Sequence, residues 1–298
     1  MMNVTFKERD VKVCAVITYF NPDEGFPDRV TMILSEVQPV IIVNDSGSLE
    51  SKEKLSRWFD LLYPRILLLH HKRNKGVAAA LNTGLGYAAA MGFDYAVLFD
   101  DDSIIVPGMI GTLLTDYHTH AQDTPAILGV SFVNSWKGLK QRGVKEIKKA
   151  KYLITAGSLI PLKVYRLLGP FREELFIDYV DIEYCLRART RGIRILQSTK
   201  IGMVQPIGQR QGTFFGEIRS IHSPTRTYYL FRNSFALVRE YFRDFPGFLI
   251  WVGWQQLKTL AKIMIFMRRK RLYLKAILRG LADAWACRFG RMPDDIVL

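Results

Sequence analysis

The sequence predicts an α/β protein: a mostly parallel sheet flanked by helices, followed by a basic, amphipathic helical extension. Three observations carry this. Short apolar runs rich in β-branched residues alternate with helical patterns through the first hundred residues, which is how a doubly wound sheet reads. Each of the first four runs ends in a polar cluster: Thr18-Tyr19-Phe20-Asn21, Asn44-Asp45-Ser46, Asn74-Lys75-Gly76 and Asp100-Asp101-Asp102. From Ile201 onward the character changes, with sixteen Lys/Arg against six Asp/Glu set among apolar helical stretches.

In order, Val11–Thr18 reads as a buried first strand, ended by the turn signal Tyr19-Phe20-Asn21-Pro22. Phe26–Glu36 places Val30, Ile33 and Leu34 at helical spacing, and Pro39 stops it. Val40–Val43 is a second strand leading into Asn44-Asp45-Ser46-Gly47-Ser48. A helix follows to about Leu62, and Pro64 precedes the third strand, Ile66–His70. Asn74-Lys75-Gly76 opens a helix of small residues, Val77–Met91. The fourth strand, Tyr95–Phe99, runs directly into three carboxylates. A helix over Pro107–His118 and a strand over Ala126–Val133 come next. Lys137–Lys151 holds seven Lys/Arg against one Glu and is predicted to be a solvated, mobile loop; the alternative is a flap that meets phosphate or lipid head groups. Lys151–Ile160 reads as a further strand, closed by Pro161. Phe176–Glu183 leads into a helix over Tyr184–Arg191, Gly192 breaks it, and Ile193–Leu196 is a strand. Helices over Leu230–Phe242, Phe248–Met267 and Leu272–Phe289 complete the chain, the last two joined by Arg268-Arg269-Lys270-Arg271.

Composition narrows the function. At 298 residues, 49% hydrophobic and 23% charged, the chain is globular, and its formal charge of +14 calls for an anionic partner: nucleic acid, sugar nucleotide or an acidic membrane face. Cys14, Cys185 and Cys287 are odd in number and far apart, which argues against a disulfide framework or a zinc site and predicts a reducing cytoplasm. Met1–Asp10 lacks a signal-peptide core, and no apolar run reaches the ~18 residues of a spanning helix. No Gly-x-Gly-x-x-Gly follows the first strand, which sets a dinucleotide-dependent oxidoreductase low.

The acids carry the chemistry. Ligands bind outside the carboxyl ends of strands in open α/β sheets. Asp100, Asp101 and Asp102 fall there and repel one another, so a hard divalent cation, Mg²⁺ or Mn²⁺, would relieve them. The alternative is a solvated turn in which Asp102 or Ser103 caps the next helix. Asp45 could accept from a base N–H or a ribose hydroxyl, and Gly76 could let backbone N–H groups approach a phosphate. Together these make a nucleoside-diphosphate site. Asp181 would be the second catalytic part, a base for an acceptor hydroxyl. Asp178 and Asp181, three apart at a helix start, also read as a cap with an acidic third position.

These segments together resemble family 2 inverting glycosyltransferases of GT-A fold, and bacterial rhamnosyltransferases in particular. The resemblance runs through Thr18-Tyr19-Phe20-Asn21-Pro22, Ile41–Ser48, Asn74–Gly84, Leu98-Phe99-Asp100-Asp101-Asp102-Ser103, Phe176–Arg189 and His222-Ser223-Pro224-Thr225-Arg226-Thr227-Tyr228-Tyr229. It implies that Thr18 and Asp45 line the nucleobase pocket, with Asn74 and Gly76 beside the donor. It implies that Asp100 faces the ribose, Asp101 fills a variable middle position and Asp102 holds the metal. Asp181 falls at the family's catalytic base, flanked by Asp178 and Glu183. The implied donor is dTDP-L-rhamnose, and the implied acceptor is a lipid-linked saccharide at the inner face of the bacterial cell membrane. The same chemistry with UDP-galactofuranose or a UDP-hexose, or a non-catalytic nucleotide-binding scaffold, are the rival readings. Two departures stand out. Asn44-Asp45-Ser46-Gly47-Ser48 replaces the family's Asp-Asn-Gly-Ser, which could shift the base contact by a residue. Gln205 stands where a His ligand is common, which leaves the last metal position to diphosphate, water or His222; His222 also reads as part of the cap ahead of Pro224. The expected division is a catalytic domain over 1–220 and a basic helical extension over 221–298 that touches an anionic membrane surface. The charge is assigned to that surface and to the donor, not to nucleic acid.

Overall fold

The computed structural model describes residues 11–121, 124–133, 146–204, 210–213, 216–219 and 223–293. The parallel half forms as the apolar runs predict. Strands β1 (Val13–Tyr19), β2 (Val40–Asn44), β3 (Ile66–His70) and β4 (Tyr95–Asp100) pair in parallel in the order β3-β2-β1-β4. Helices α1 (Phe26–Leu34), α2 (Leu49–Phe59) and α3 (Val77–Ala90) make the crossovers. The register levels the strand exits: Thr18 pairs with Asp100, Tyr19 with Asn44, and Asn44 with His70. All four polar clusters therefore meet along one edge.

The rest of the sheet is mixed. After β5 (Ile104–Ile105) and α4 (Met109–His120) come β6 (Ala126–Val133), β7 (Ile147–Lys149) and β8 (Ser158–Pro161). Helices α5 (Leu162–Leu168) and α6 (Val180–Thr190) and the long β9 (Arg194–Val204) follow. β8 inserts antiparallel between β4 and β6, β6 pairs in parallel with β9, and β5 and β7 pair antiparallel with β9. A separate ribbon pairs β10 (Arg210–Thr213) with β11 (Gly216–Arg219). Alternate residues of β1 feed the two sides of the core, Ala15 and Ile17 on one and Cys14 and Val16 on the other. The small residues of α3 bring it close to the sheet: a Cβ on Gly84 would lie 2.3 Å from Val16 Cγ1.

Several boundaries differ from the sequence reading. The strand expected over Lys151–Ile160 is only Ser158–Pro161. Gly157, at φ +75°, breaks the extension, and Leu153 bonds instead to the Cys185 thiol. Part of the expected basic loop is strand, since Ile147–Lys149 pairs with β9; its stretch from 134 to 145 lies outside the described residues. α6 begins at Val180, which puts Asp181 and Glu183 in its first turn.

Three helices end the described chain: α7 (Pro224–Tyr241), α8 (Pro246–Phe266) and α9 (Lys270–Trp285). α7 starts ahead of the expected Leu230 because Ser223 caps it, accepting from Arg226 N–H, and Pro224 sits in its first turn. α7 and α9 pack closely; a Cβ on Gly280 would lie 2.6 Å from the Tyr228 carbonyl. On α8, Ile250, Trp254, Leu257 and Ile265 face outward, as do Leu278 and Trp285 on α9. Among the described residues no helix is long and apolar enough to cross a membrane.

Candidate active site

The strand exits open into a cleft of about 410 Å³ lined by Thr18, Asp45, Asn74, Gly76, Asp100, Asp101, Asp102, Asp178, Asp181 and Arg226. Nine of these ten were expected from sequence; Arg226 was not. Glu183 does not reach the cleft. It is 2% exposed and turns inward to Arg187 Nε (2.9 Å) and to the Tyr241 hydroxyl (3.3 Å), because its place in the first turn of α6 faces the core. His222 and Gln205 lie outside the described residues.

One wall is built on Asp45. Its carboxylate accepts from the backbone N–H groups of Lys75 (2.8 Å) and Gly76 (2.8 Å) and from His71 Nδ1 (2.7 Å), whose Nε2 lies 2.9 Å from the Thr83 hydroxyl. The N–H of Gly76 itself does not face a phosphate, being bound by Asp45 and by Asn74 Oδ1 (2.9 Å), although Gly76 lines the cleft. Glycine is needed there for another reason. φ is +92°, and a Cβ would lie 2.4 Å from the Phe176 carbonyl oxygen.

The acidic turn is closed by Ser103, whose hydroxyl accepts from the Asp100 N–H at 3.0 Å. It does not cap α4. Glu36 does, taking the N–H groups of Gly108 (2.7 Å) and Ile110 (2.8 Å). Asp101 accepts from the Phe20 N–H (2.7 Å), and its carbonyl accepts from Arg29 Nε (2.9 Å). Burial, reinforced by Asp102, Asp101 and Asp181, pushes Asp100 up to about 7. Burial likewise raises Asp101 to about 6.

The opposite wall is the segment that enters α6. Phe176 (φ +67°), Asp178 (φ +60°) and Tyr179 (φ +64°) are all left-handed without being glycine. The Ile177 N–H bonds back to the Leu175 carbonyl at 2.8 Å, so Phe176 (ψ −64°) centres a γ-turn of the rare positive-φ kind. Such residues cost on the order of 1–3 kcal/mol each and persist where surrounding structure over-determines them. Tyr179, not an acid, is the N-cap of α6, and Asp178 is held by Arg226 through both carboxylate oxygens (3.0–3.1 Å), so Asp178 does not cap the helix and, of the two expected acids, only Asp181 serves its first turn. Asp181 Oδ1 accepts from the Ile182 N–H at 2.8 Å. Burial, with Asp178 adding to it, pushes Asp181 up to about 6, where a carboxyl can exchange a proton near neutrality.

The Glycosyl transferase family 2 description matches residues 14–166. The chain is also 31% identical over 245 residues to the dTDP-rhamnosyl transferase RfbF of Shigella flexneri, spanning 76% of this chain and 80% of that one. The chain belongs to glycosyl transferase family 2. Over 118 residues it is 28% identical to the uncharacterized glycosyltransferase YibD of Escherichia coli (strain K12), covering 39% of this chain and 31% of the other. Its fold is shared with GalNAc-T7, solved with UDP, GalNAc and Mn²⁺: TM-score 0.54, 12% identity, 67% of this chain and 44% of that chain. The expected family, its GT-A fold and its glycosyltransferase activity therefore stand.

Among the described residues no three His, Cys, Asp or Glu side chains gather into a metal site of their own. Asp102 would hold Mg²⁺ or Mn²⁺ here, since such ions are often bound by one or two carboxylates with substrate phosphate and water completing the shell. Two participants escaped the sequence reading. His71 had no signal beyond its place after a strand. Arg226 did have one: it lies in the matched His222–Tyr229 segment, but its pairing with Asp178 spans 48 residues.

Proposed function

We propose that this glycosyltransferase moves L-rhamnose from dTDP-L-rhamnose to a hydroxyl of a saccharide, lipid-linked in a growing surface polysaccharide, by a single inverting displacement. The observation that carries the mechanism is one cleft holding both the Asp100–Asp102 turn and Asp181. The sugar is supported by the RfbF relationship. Thr18, Asp45 and Asn74 take the nucleoside end, Asp100 the ribose and Asp102 the cation. When bound, that divalent ion offsets charge on the departing diphosphate. Asp181 accepts the acceptor hydroxyl's proton as its oxygen bonds to the anomeric carbon and the carbon–oxygen bond to the diphosphate breaks. Asp178, through Arg226, keeps a guanidinium beside the acids where the diphosphate would lie.

We further propose the division expected from sequence, with residues 221–298 as a helical unit that meets an anionic membrane. The outward Ile250, Trp254, Leu257 and Ile265 of α8 and the Arg268–Arg271 cluster support it, because an interfacial helix needs an apolar face beside cations.

A panel of dTDP- and UDP-sugars, with Mn²⁺, with Mg²⁺ and with chelator, tests the reading through donor hydrolysis and melting shift. dTDP-L-rhamnose with a divalent ion should give the largest response, and a preference for a UDP-hexose would replace the sugar assignment. Asp181→Asn should lower turnover at least ~100-fold while keeping dTDP affinity. Undiminished turnover would remove the base.

A further inference from the structure

The left-handed turn ahead of Asp181 is held from α7, 55 to 58 residues downstream. Asn233 is fully buried, and the two hydrogens of its side-chain NH₂ are shared among three carbonyls, those of Leu175 (2.9 Å), Ile177 (2.8 Å) and Asp178 (2.9 Å). Arg232, also fully buried, donates to the carbonyls of Leu175 (2.9 Å) and Glu174 (3.2 Å), and its other terminal nitrogen donates to the Gly290 carbonyl (2.7 Å), so it ties the turn to the segment that follows α9. Its Nε donates to the Asn233 amide oxygen at 2.9 Å. That bond settles the orientation of Asn233: its oxygen faces Arg232, so its NH₂ must face the turn. A guanidinium is costly in an interior unless paired. Here it is met by carbonyl dipoles and by the rings of Tyr228 and Tyr229, 5.4 and 4.9 Å away. Arg232 divides its bonds between the turn and Gly290, but every bond the Asn233 NH₂ makes goes to the strained turn, and a buried amide spent there requires a reason. Neither residue lines the cleft.

We infer that Arg232 and Asn233 are positioning residues for glycosyl transfer, locking the Leu175–Asp178 turn in its left-handed form so that Asp181 points into the cleft. The bonds bracket Phe176 and take the carbonyl of Asp178, two of the three irregular residues. Asn233 grips the carbonyls on both sides of Phe176, which a regular helical or extended path would separate. Tyr229 stacks on the Phe176 ring, with centroids 5.1 Å apart and planes 19° apart, on the same side of α7 as Arg226 and Asn233. Released from these contacts, the turn would relax toward ordinary dihedrals and swing the first turn of α6. A misplacement of about 1 Å at a reacting group lowers turnover by about 100-fold. The inference rests on the reading of Asp181 as the base.

The test is full-length Asn233→Ala beside Asn233→Ser, with Asp181→Asn as control. Asn233→Ala should lower kcat about 100-fold, leave donor KM within about threefold, and speed amide exchange over residues 174–182 alone. Asn233→Ser, which keeps one donor, should fall between it and the parent, and takes its place if the alanine variant does not fold. The inference is overturned if the variant that folds keeps kcat within twofold of the parent. It is also overturned if exchange speeds uniformly through the sheet while kcat and KM worsen together, the mark of general loosening. An inactive Asp181→Asn beside a fully active Asn233→Ala defeats the positioning role alone; a fully active Asp181→Asn defeats the base assignment beneath it.

Discussion

The two walls of the cleft are made in opposite ways. On the donor side, each functional group sits at the exit of its own parallel strand, and its bonds come from neighbouring strand ends: Asp45 from His71, Lys75 and Gly76, Asp101 from Phe20. On the base side, Asp178 and Asp181 hang on a turn with three left-handed residues, fixed by side chains of a helix far along the chain. The first wall is a by-product of strand register. The second exists only once α7 has docked. Distance along the chain does not separate the two, since Phe20 and Asp101 are 81 residues apart and Asn233 lies 55 to 58 residues from its carbonyls; the difference is that backbone pairing places the first wall and buried side chains place the second.

The sharpest way to break this contrast is Gly76→Ala, the point where the walls touch. The added Cβ must displace the Phe176 carbonyl or the backbone at φ +92°. We expect a loss of about 2–3 kcal/mol in stability and at least ~10-fold weaker dTDP binding. Unchanged melting and affinity would show the walls to be independent.

A second measurement separates them by pH. Asp181 must be ionised to accept a proton, and its folded value is raised from 3.8 to about 6. Turnover should fall roughly tenfold per unit below about pH 6, with donor affinity changing differently. Stability should move the other way. Between about 4 and 6 the native carboxyl holds a proton that the unfolded chain has released, so this group's contribution declines as pH rises through 6. Asp181→Asn should make that part of the stability profile shallower, the buried Asp100 and Asp101 keeping their own contributions, and an unaltered slope would contradict the assignment.

The smallest effect concerns the extension. Replacing outward Ile250 and Trp254 by Ser should weaken sedimentation with anionic liposomes several-fold, leaving donor hydrolysis in solution intact. Equal binding would argue against a lipid-facing role.

Legibility followed the same divide. β1 to β4 and their polar exits could be read because apolar runs and turn residues are local signals, and parallel register then brought Thr18, Asp45, Asn74 and Asp100 together without further information. Glu183, expected beside Asp181 in an acceptor-side or supporting place, turns to the core because its helix begins at Val180, four residues before the expected Tyr184, and so leaves the supporting place. The strand expected over Lys151–Ile160 failed at Gly157, where one positive φ outweighed an apolar run. Asn233 gave no signal at all: an Asn in a helix reads as a solvated polar residue unless its three carbonyl partners, in another part of the chain, are known.

The near-contact between Gly76 and the Phe176 carbonyl also bears on redesign. A nucleotide pocket is usually retuned by changing side-chain bulk around the base, yet here enlarging the residue ahead of α3 presses on the Phe176 carbonyl, in the turn that leads to the proposed base Asp181. Attempts to retarget this enzyme to a different activated sugar should vary positions 74–76 and 176–179 as one block, since libraries that sample either alone would discard most improved pockets as inactive.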